Sequence, residues 1–190
     1  MSRRVLVVGF GRTGQALARV LAARGDRVRA GDRRDARALK VDPRALAGVE
    51  LHASDGPELL DGVDLVVPSP GVPRSAPVLA EAFRRGVPVV SEIELAGREL
   101  SCPIVGITGT NGKSTTTTLV GMALAGAGRR TFTRGNLGTP LVTALEGTYD
   151  FNYTGFRPFS YYSFSTPPFT YTTRDMSFLF IHSFFFIILF

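Results

Sequence analysis

The sequence has little cysteine, no tryptophan and few lysines. Its 190 residues include one Cys and no Trp, and both lysines lie before residue 151. A single cysteine forms no disulfide within the chain, so a disulfide-stapled secreted domain is excluded. A hydrophobic content of 44% also excludes disordered and collagen-like chains. The length fits one or two compact domains.

The charge is mildly positive, and before residue 151 it is spread along the sequence without blocks of one sign. The chain carries 22 Lys and Arg against 16 Asp and Glu, a formal net charge of +6. A mild, dispersed positive charge suits phosphorylated small molecules as well as nucleic acid, so it excludes neither. Arg3 and Arg4 run straight into a short apolar strand, which does not match a secretory signal. We expect a cytoplasmic protein without a membrane span.

The composition changes at Asp150. Residues 151–190 hold 11 of the 14 Phe and four of the five Tyr, whereas all 18 Ala lie before them. The apolar stretch 176–190 is 15 residues long and contains His182 and Ser183. A spanning helix needs about 20 apolar residues, so a membrane anchor is disfavoured. The triple Phe184–Phe186 disfavours an ordinary core segment. Our preferred hypothesis for this tail is a junction artefact or a reading-frame change.

Short apolar strands alternate with helical segments before Asp150. The hydrophobic pattern predicts strands at 4–8, 27–30, 49–52, 64–67, 87–90, 104–107 and near 131, and helices at 15–23, 76–85, 91–99, 113–127 and 140–145. Such alternation is typical of an α/β fold with a parallel, doubly wound sheet. We place a domain boundary between residues 100 and 101, after which the alternation starts again.

A glycine turn follows the first predicted strand. Residues 9–14, Gly-Phe-Gly-Arg-Thr-Gly, fit G-x-G-x-x-G between a strand and a helix, and Asp32 ends the second strand. Glycines let backbone N–H groups approach a phosphate, and an acidic residue at that position can accept hydrogen bonds from a ribose or a base edge. Ser69-Pro70-Gly71 ends the fourth strand at the same edge. The pattern indicates a site for a nucleotide with a diphosphate.

A second phosphate-type loop follows the strand at 104–107. It consists of Thr108, Gly109, Thr110, Asn111, Gly112, Lys113, Ser114 and Thr115. Backbone amides at such a loop surround an anion, the lysine adds a positive charge for the outer phosphates, and a hydroxyl can hold Mg²⁺. A strict Walker A motif would have glycine where Ile107 stands. The loop indicates ATP, and two nucleotide sites in one chain favour a ligase over a simple dehydrogenase.

The loop Gly-Thr-Asn-Gly-Lys-Ser-Thr at 109–115 resembles the ATP loop of the Mur ligases, the amide ligases that build peptidoglycan precursors. The order of four further motifs is similar to the branch that adds D-glutamate to UDP-N-acetylmuramoyl-L-alanine; they are residues 9–14, 68–71, 91–95 and 135–138. The resemblance covers residues 3 to about 150. It implies a Rossmann-like UDP-sugar domain over residues 1–100, the N-terminal part of a P-loop ATPase-type α/β domain over 101–150, and an aberrant tail over 151–190.

The resemblance also implies a role for each matching residue. Asp32 and Arg34 would contact the uracil end, Arg12, Thr13 and Gly71 the diphosphate region, and Asn136 the substrate near the ATP site. Lys113 would neutralise the phosphate being transferred, and Ser114 or Thr115 would bind Mg²⁺. ATP would phosphorylate the L-alanyl carboxylate, and the D-glutamate amine would then attack the acyl phosphate. The implied protein is a monomer that acts on small molecules and has no nucleic-acid partner.

The family pattern stops at the change in composition. The family has a Mg²⁺-binding glutamate, a histidine and a modified lysine beyond this point, whereas here no Glu follows Glu146 and no Lys follows Lys113. We therefore expect an inactive fragment of a ligase. Two alternatives from other classes are a nucleotide-binding module without catalysis and an NAD-dependent oxidoreductase, the second of which leaves the loop at 109–115 unexplained.

Overall fold

The computed structural model describes residues 2–102, 104–109, 112–135, 139–155, 177–181 and 185–189. These residues divide into two compact units, one over residues 2–95 and the other from residue 96 onward. The boundary that we predict from the sequence, between residues 100 and 101, lies slightly further along the chain.

The first unit is built on a parallel sheet. Its strands are β1 (Arg4–Val8), β2 (Arg27–Gly31), β3 (Val49–His52) and β4 (Leu65–Pro68). Their order in the sheet is β3-β2-β1-β4, and all three neighbouring pairs are parallel. Val8 is level with both Gly31 and Pro68, and Gly31 is level with His52. The carboxyl ends of the four strands therefore lie along one edge, where ligands bind in open parallel sheets.

Helices cover both faces of this sheet. Leu6 and Val8 of β1 belong to a buried cluster with residues of α2 (Pro77–Arg85). Val5 and Val7 alternate with them along the strand, so they point to the opposite face, and they are equally buried. α1 (Arg12–Ala23) packs on β1 and β2. Burying each large apolar side chain of this core stabilises the folded chain by roughly 1.5–3 kcal/mol. The α/β class with a parallel sheet is thus confirmed.

The fifth strand that the pattern predicts at 87–90 is reduced to one parallel bridge between Val66 and Val89. Val66 N–H donates to Pro88 O at 2.9 Å, and Val90 N–H donates to Val66 O at 3.0 Å. The next donor in either direction of a parallel ladder would be the nitrogen of Pro88 or of Pro68. Proline has no N–H, so the ladder cannot extend beyond these two bonds. The prediction of a full strand was therefore wrong.

Shorter elements complete the first unit. Two 3-10 helices, Pro43–Ala45 and Pro57–Leu60, follow β2 and β3. α3 (Glu92–Glu99) follows the bridge and crosses the division between the two units. Gly86, with φ of 69°, is the left-handed C-cap that ends α2.

The second unit has a mixed sheet. Its strands are β5 (Ile104–Gly109), β6 (Thr131–Gly135), β7 (Phe151–Gly155), β8 (Ser177–Ile181) and β9 (Phe185–Leu189), in the order β6-β7-β5-β9-β8. β6, β7 and β5 are parallel, whereas β9 is antiparallel to β5 and to β8. α4 (Lys113–Gly126) packs on β5, β6 and β7. The change in composition at Asp150 thus immediately precedes a strand that pairs with two others.

The helix that the pattern predicts at 140–145 is present and is of the tighter, 3-10 type. The segment is a 3-10 helix, Leu141–Glu146. Gly147 N–H donates to Ala144 O and Thr143 N–H donates to Pro140 O, both at 3.2 Å. These bonds span three residues, so the chain turns more tightly than an α-helix does.

No helix among the described residues is long and apolar enough to cross a lipid bilayer.

Candidate nucleotide-binding sites

A cleft of about 720 Å³ opens at the carboxyl edge of the first sheet. The cleft is lined by the ends of β1 and β2, the start of α1, the loop after β3 and the loop after β4. Five residues that the sequence predicts for the UDP-sugar lie in this lining: Arg12, Thr13, Asp32, Arg34 and Gly71. The structure therefore brings these five residues, distant in sequence, to one site.

The glycine turn after β1 needs glycine at two of its three positions. Gly9 has φ of +85° and its N–H donates to Gly31 O at 2.7 Å. A Cβ on Gly14 would lie 2.0 Å from the carbonyl oxygen of Gly9, which is far inside contact distance. A Cβ on Gly11, by contrast, would meet nothing within 4 Å. Gly9 and Gly14 thus shape the turn, whereas Gly11 leaves open space beside the cleft.

The N-terminus of α1 makes this part of the cleft favourable for anions. Gly11 is the N-cap, and the helix begins at Arg12. The first N–H groups of a helix have no carbonyl partner within it and carry the positive end of the helix dipole. Arg12 and Thr13 add a guanidinium and a hydroxyl in the lining at the same point. The arrangement suits a phosphate or diphosphate group.

The loop after β4 is tied to the glycine turn by Ser69. Ser69 Oγ donates to Gly9 O at 2.7 Å, and Ser69 N–H donates to Val8 O at 2.8 Å. Val72 N–H donates in turn to Ser69 O at 3.0 Å. These bonds hold Gly71, whose Cα faces open space, at the wall of the cleft. Ser69 is a supporting residue whose place at the end of a strand made it detectable from the sequence.

Asp32 accepts four hydrogen bonds from two loops. Oδ2 receives Phe10 N–H at 2.8 Å and Arg34 Nη2 at 3.0 Å, and Oδ1 receives the Arg34 backbone N–H and Nε, both at 3.0 Å. A carboxylate offers about four acceptor positions. Asp32 therefore joins the glycine turn to the end of β2, and any contact of Asp32 with a ligand requires one of these bonds to be given up.

Opposing effects act on the pKa of Asp32. Burial of the carboxyl raises the pKa, whereas the hydrogen bonds from Arg34 and from Phe10 N–H and the charge of Arg34 lower it, and the net result is a pKa of about 2. The Asp32 side chain is 8% exposed, while that of Arg34 is 58% exposed. Asp32 thus stays ionised at neutral pH and holds the Arg34 guanidinium at the wall of the cleft.

Sequence reasoning missed one ion pair in the lining. Arg33 Nε lies 3.4 Å from Asp55 Oδ2, and both residues line the cleft. Asp55 follows β3, so the rule that carboxyl ends of parallel strands meet at one edge places it at this edge, but the rule does not say which residue it pairs with. The motif at residues 9–14 does not include either residue. No group of three or more metal-ligating His, Cys, Asp or Glu side chains occurs among the described residues.

The second predicted site begins at the end of β5. β5 ends at Gly109 and α4 begins at Lys113, with Gly112 as its N-cap at φ of +73°. Thr116 N–H donates to Gly112 O at 2.8 Å, which closes the first turn of the helix. Thr110, Asn111 and the predicted substrate residue Asn136 lie outside the described residues.

The hydroxyl groups at the start of α4 differ in their surroundings. Thr117 Oγ1 donates to Lys113 O at 2.8 Å, and Thr118 Oγ1 donates to Ser114 O at 2.9 Å. Ser114 and Thr115, in the first turn, are exposed. A lysine followed by two exposed hydroxyl residues at a helix N-terminus fits the outer phosphates of a nucleotide together with Mg²⁺.

The comparisons with known proteins agree with this geometry. Residues 3–91 match the family model described as Mur ligase MurD-like, N-terminal domain. The chain is 50% identical over 151 residues to the "UDP-N-acetylmuramoylalanine--D-glutamate ligase" of Syntrophus aciditrophicus (strain SB), which covers 76% of this chain and 33% of the relative. It is 54% identical over 141 residues to the ligase of the same name from Anaeromyxobacter dehalogenans (strain 2CP-C), covering 73% and 30%. The chain thus spans about a third of the length of these relatives.

Solved structures show the same fold. A murein peptide ligase from Psychrobacter arcticus 273-4 matches with a TM-score of 0.52 at 21% identity, over 81% of this chain and 37% of that one. A UDP-N-acetylmuramate:L-alanyl-gamma-D-glutamyl-meso-diaminopimelate ligase from Neisseria meningitides matches with a TM-score of 0.51 at 19% identity, over 82% and 52%. The sequence match, in agreement with the parallel sheet and the glycine-turn cleft, shows that residues 3–91 are a Mur ligase MurD-like N-terminal domain.

Proposed function

We propose that this chain derives from an ATP-dependent ligase that adds D-glutamate to UDP-N-acetylmuramoyl-L-alanine in peptidoglycan precursor synthesis. The observation that carries the proposal is the cleft at the carboxyl edge of the first sheet, which combines a helix N-terminus with three arginines. The identity of about 50% to ligases of that name supports the choice of substrate.

The cleft would hold the UDP part of the substrate. The diphosphate would lie against the N-terminus of α1, near Arg12, Thr13 and Gly71, because N–H groups and a guanidinium converge there. The uracil would lie toward the end of β2, where Arg34 is fixed by Asp32. Asp32 would act mainly by positioning Arg34 and the glycine turn, since its acceptor positions are occupied.

The loop before α4 would hold ATP. Lys113 would neutralise the phosphate being transferred, and Ser114 or Thr115 would bind Mg²⁺, which supplies charge neutralisation for phosphoryl transfer. Gly109, Thr110, Asn111 and Gly112 would surround the phosphates through their backbone N–H groups. The substrate carboxylate would take the γ-phosphoryl group of ATP, with release of ADP, to become an acyl phosphate. The amine of D-glutamate would then attack its carbonyl carbon, with loss of phosphate and a proton.

This chain by itself would bind its ligands without turning them over. The family's later glutamate and modified lysine have no candidates in residues 151–190, because these hold no Glu and no Lys, and His182 lies in an apolar run without an acidic neighbour. We also propose that the protein is cytoplasmic and monomeric, and that its ligands are small molecules and not nucleic acid. This part of the proposal rests on the phosphate-binding chemistry of both loops.

Titration calorimetry of the full chain with UDP-N-acetylmuramoyl-L-alanine tests the proposal. We expect saturable binding that is weakened about tenfold or more by Arg12→Ala, since a charge-assisted contact to phosphate is lost. Arg24→Ala, at the exposed C-terminal end of α1, is the matched control and should bind as the wild type does. A folded chain that fails to bind this ligand contradicts the proposed substrate. Formation of the D-glutamyl product from ATP would contradict the proposed lack of turnover.

A further inference from the structure

The ion pair between Arg33 and Asp55 lies at the β3 end of the cleft. β2 lies between β3 and β1 in the sheet, so the loop after β2 has the loop after β3 on one side and the glycine turn on the other. Arg33, in that loop, carries a long side chain that is 76% exposed. Such a side chain can turn to either side. The pair with Asp55 places its guanidinium on the β3 side.

Asp55 is well placed to hold Arg33 because its own backbone is fixed. Val78 N–H, in the first turn of α2, donates to Asp55 O at 3.1 Å. Gly56 N–H donates to Ser54 Oγ at 3.0 Å, and Ser54 Oγ donates to Glu58. A Cβ on Gly31 would lie 2.7 Å from Ser54 O, so this loop packs tightly against the end of β2. The Asp55 side chain is only 25% exposed.

The pair of Arg33 and Asp55 affects the balance of charge in the cleft lining. The lining contains three arginines and two aspartates, a formal charge of +1. Asp32 already holds Arg34. Asp55 likewise pairs with Arg33, and its loss would leave the Arg33 guanidinium in the cleft lining without this carboxylate. A mobile cation there would attract any phosphate group, whatever is attached to it.

We propose that Asp55 is a specificity-determining residue that holds Arg33 away from the diphosphate position at the N-terminus of α1. The inference rests on the proposed function, because it concerns how the same cleft distinguishes a nucleoside-diphosphate sugar from phosphate-bearing ligands in general. With Asp55 in place, a diphosphate alone gains little from Arg33. The rest of the nucleotide must then supply the affinity.

The test measures the binding of inorganic pyrophosphate by titration calorimetry. The parent chain carries Lys113→Ala, so that the loop before α4 does not contribute. Asp55→Asn in this parent should tighten pyrophosphate binding about fivefold, the size expected when one partly exposed ion pair is released. The double variant Arg33→Met/Asp55→Asn should return the affinity to within about twofold of the parent.

Asp61→Asn is the matched control. Asp61 follows the 3-10 helix after β3, pairs with Arg85 at 3.3 Å and does not line the cleft. Its loss removes the same charge nearby and should leave the affinity for pyrophosphate within about twofold of the parent. Thermal unfolding followed by circular dichroism checks that each variant is folded.

Three results would overturn the inference. They are an Asp55→Asn chain that binds pyrophosphate no better than the parent, an equal gain in Asp61→Asn, and a double variant that keeps the whole gain. Failure of the wild-type chain to bind UDP-N-acetylmuramoyl-L-alanine contradicts the proposed function instead. The pyrophosphate series does not use the sugar ligand, so the two failures are distinguishable.

Discussion

At the scale of single residues, one buried carboxylate connects two of the segments that line the cleft. Asp32 receives Phe10 N–H from the glycine turn and three donors of Arg34 from the end of β2. Its pKa of about 2 lies below the ordinary value of 3.8, because these donors outweigh the effect of burial. The ionised form is therefore preferred more strongly in the folded chain than in the unfolded one.

The Asp32→Asn variant should be less stable than the wild type, by an amount that depends on pH. A lowered pKa means that the stabilising contribution is complete above pH 4 and is lost as the pH falls through about 2. At pH 7 the shift corresponds to about 2 kcal/mol of unfolding free energy. Urea unfolding of both chains at pH 7, 4 and 2 measures this difference, which should be similar at the first two values and smaller at the third.

Asp61→Asn is the control for this pH series, because the Asp61 side chain is 79% exposed. It should change the unfolding free energy by less than about 0.5 kcal/mol at any pH. A loss in Asp32→Asn that stays constant from pH 7 to pH 2 would show that the carboxylate charge is not the stabilising feature.

At the scale of elements, the start of α4 depends on a left-handed glycine. Gly112 is the N-cap of α4 and has φ of +73°, a conformation that costs other residues about 1 kcal/mol. Gly112→Ala should therefore destabilise the second unit by about that amount. It should also weaken ATP binding, because the N–H groups of the loop would be displaced. Urea unfolding and titration calorimetry with ATP and Mg²⁺ measure the two effects.

Gly126→Ala is the matched control at the other end of α4. A Cβ there would meet nothing within 4 Å, and no positive φ is required. The substitution should stabilise the chain by about 0.4–1 kcal/mol, because alanine restricts the unfolded chain. Equal effects of the two substitutions would contradict a special role for the backbone of Gly112.

Sequence patterns predicted the elements well where the hydrophobic period was regular. The strands at β1 to β4 and the helices around them lie within a few residues of the predicted positions. The prediction of a strand at 87–90 was wrong, because the hydrophobic run fits a strand but the prolines at 68 and 88 remove the donors that would extend it. Hydrophobic periodicity does not record which backbone donors a neighbouring strand needs.

The sequence predicted the motif that marks the cleft, but it did not predict which side chains of the cleft pair with one another. The glycine turn and Asp32 follow from the strand-turn-helix pattern, and Arg34 follows from the resemblance to the Mur ligases. That Asp32 uses its acceptors on Phe10 and Arg34 depends on distances between loops, which the sequence does not contain. The partner of Arg33 comes from the loop after β3 and is found only when the strand order is known.

At the scale of the whole molecule, the two proposed anion sites lie in two separate units. The first lies at the N-terminus of α1 in the unit over residues 2–95, and the second at the N-terminus of α4 in the other unit. Each is assembled from the residues of its own unit. The proposed ligase reaction would need both sites, whereas we expect each ligand to bind without the other.

We therefore expect Lys113→Ala and Arg12→Ala to have opposite effects on the two ligands. Lys113→Ala should weaken ATP binding about tenfold or more and leave the binding of UDP-N-acetylmuramoyl-L-alanine within about twofold of the wild type. Arg12→Ala should do the reverse. Calorimetric titration of both variants with each ligand separately measures all four constants. A variant that loses both ligands while remaining folded would show that the two units bind as one coupled site, because independent sites give effects that stay separate.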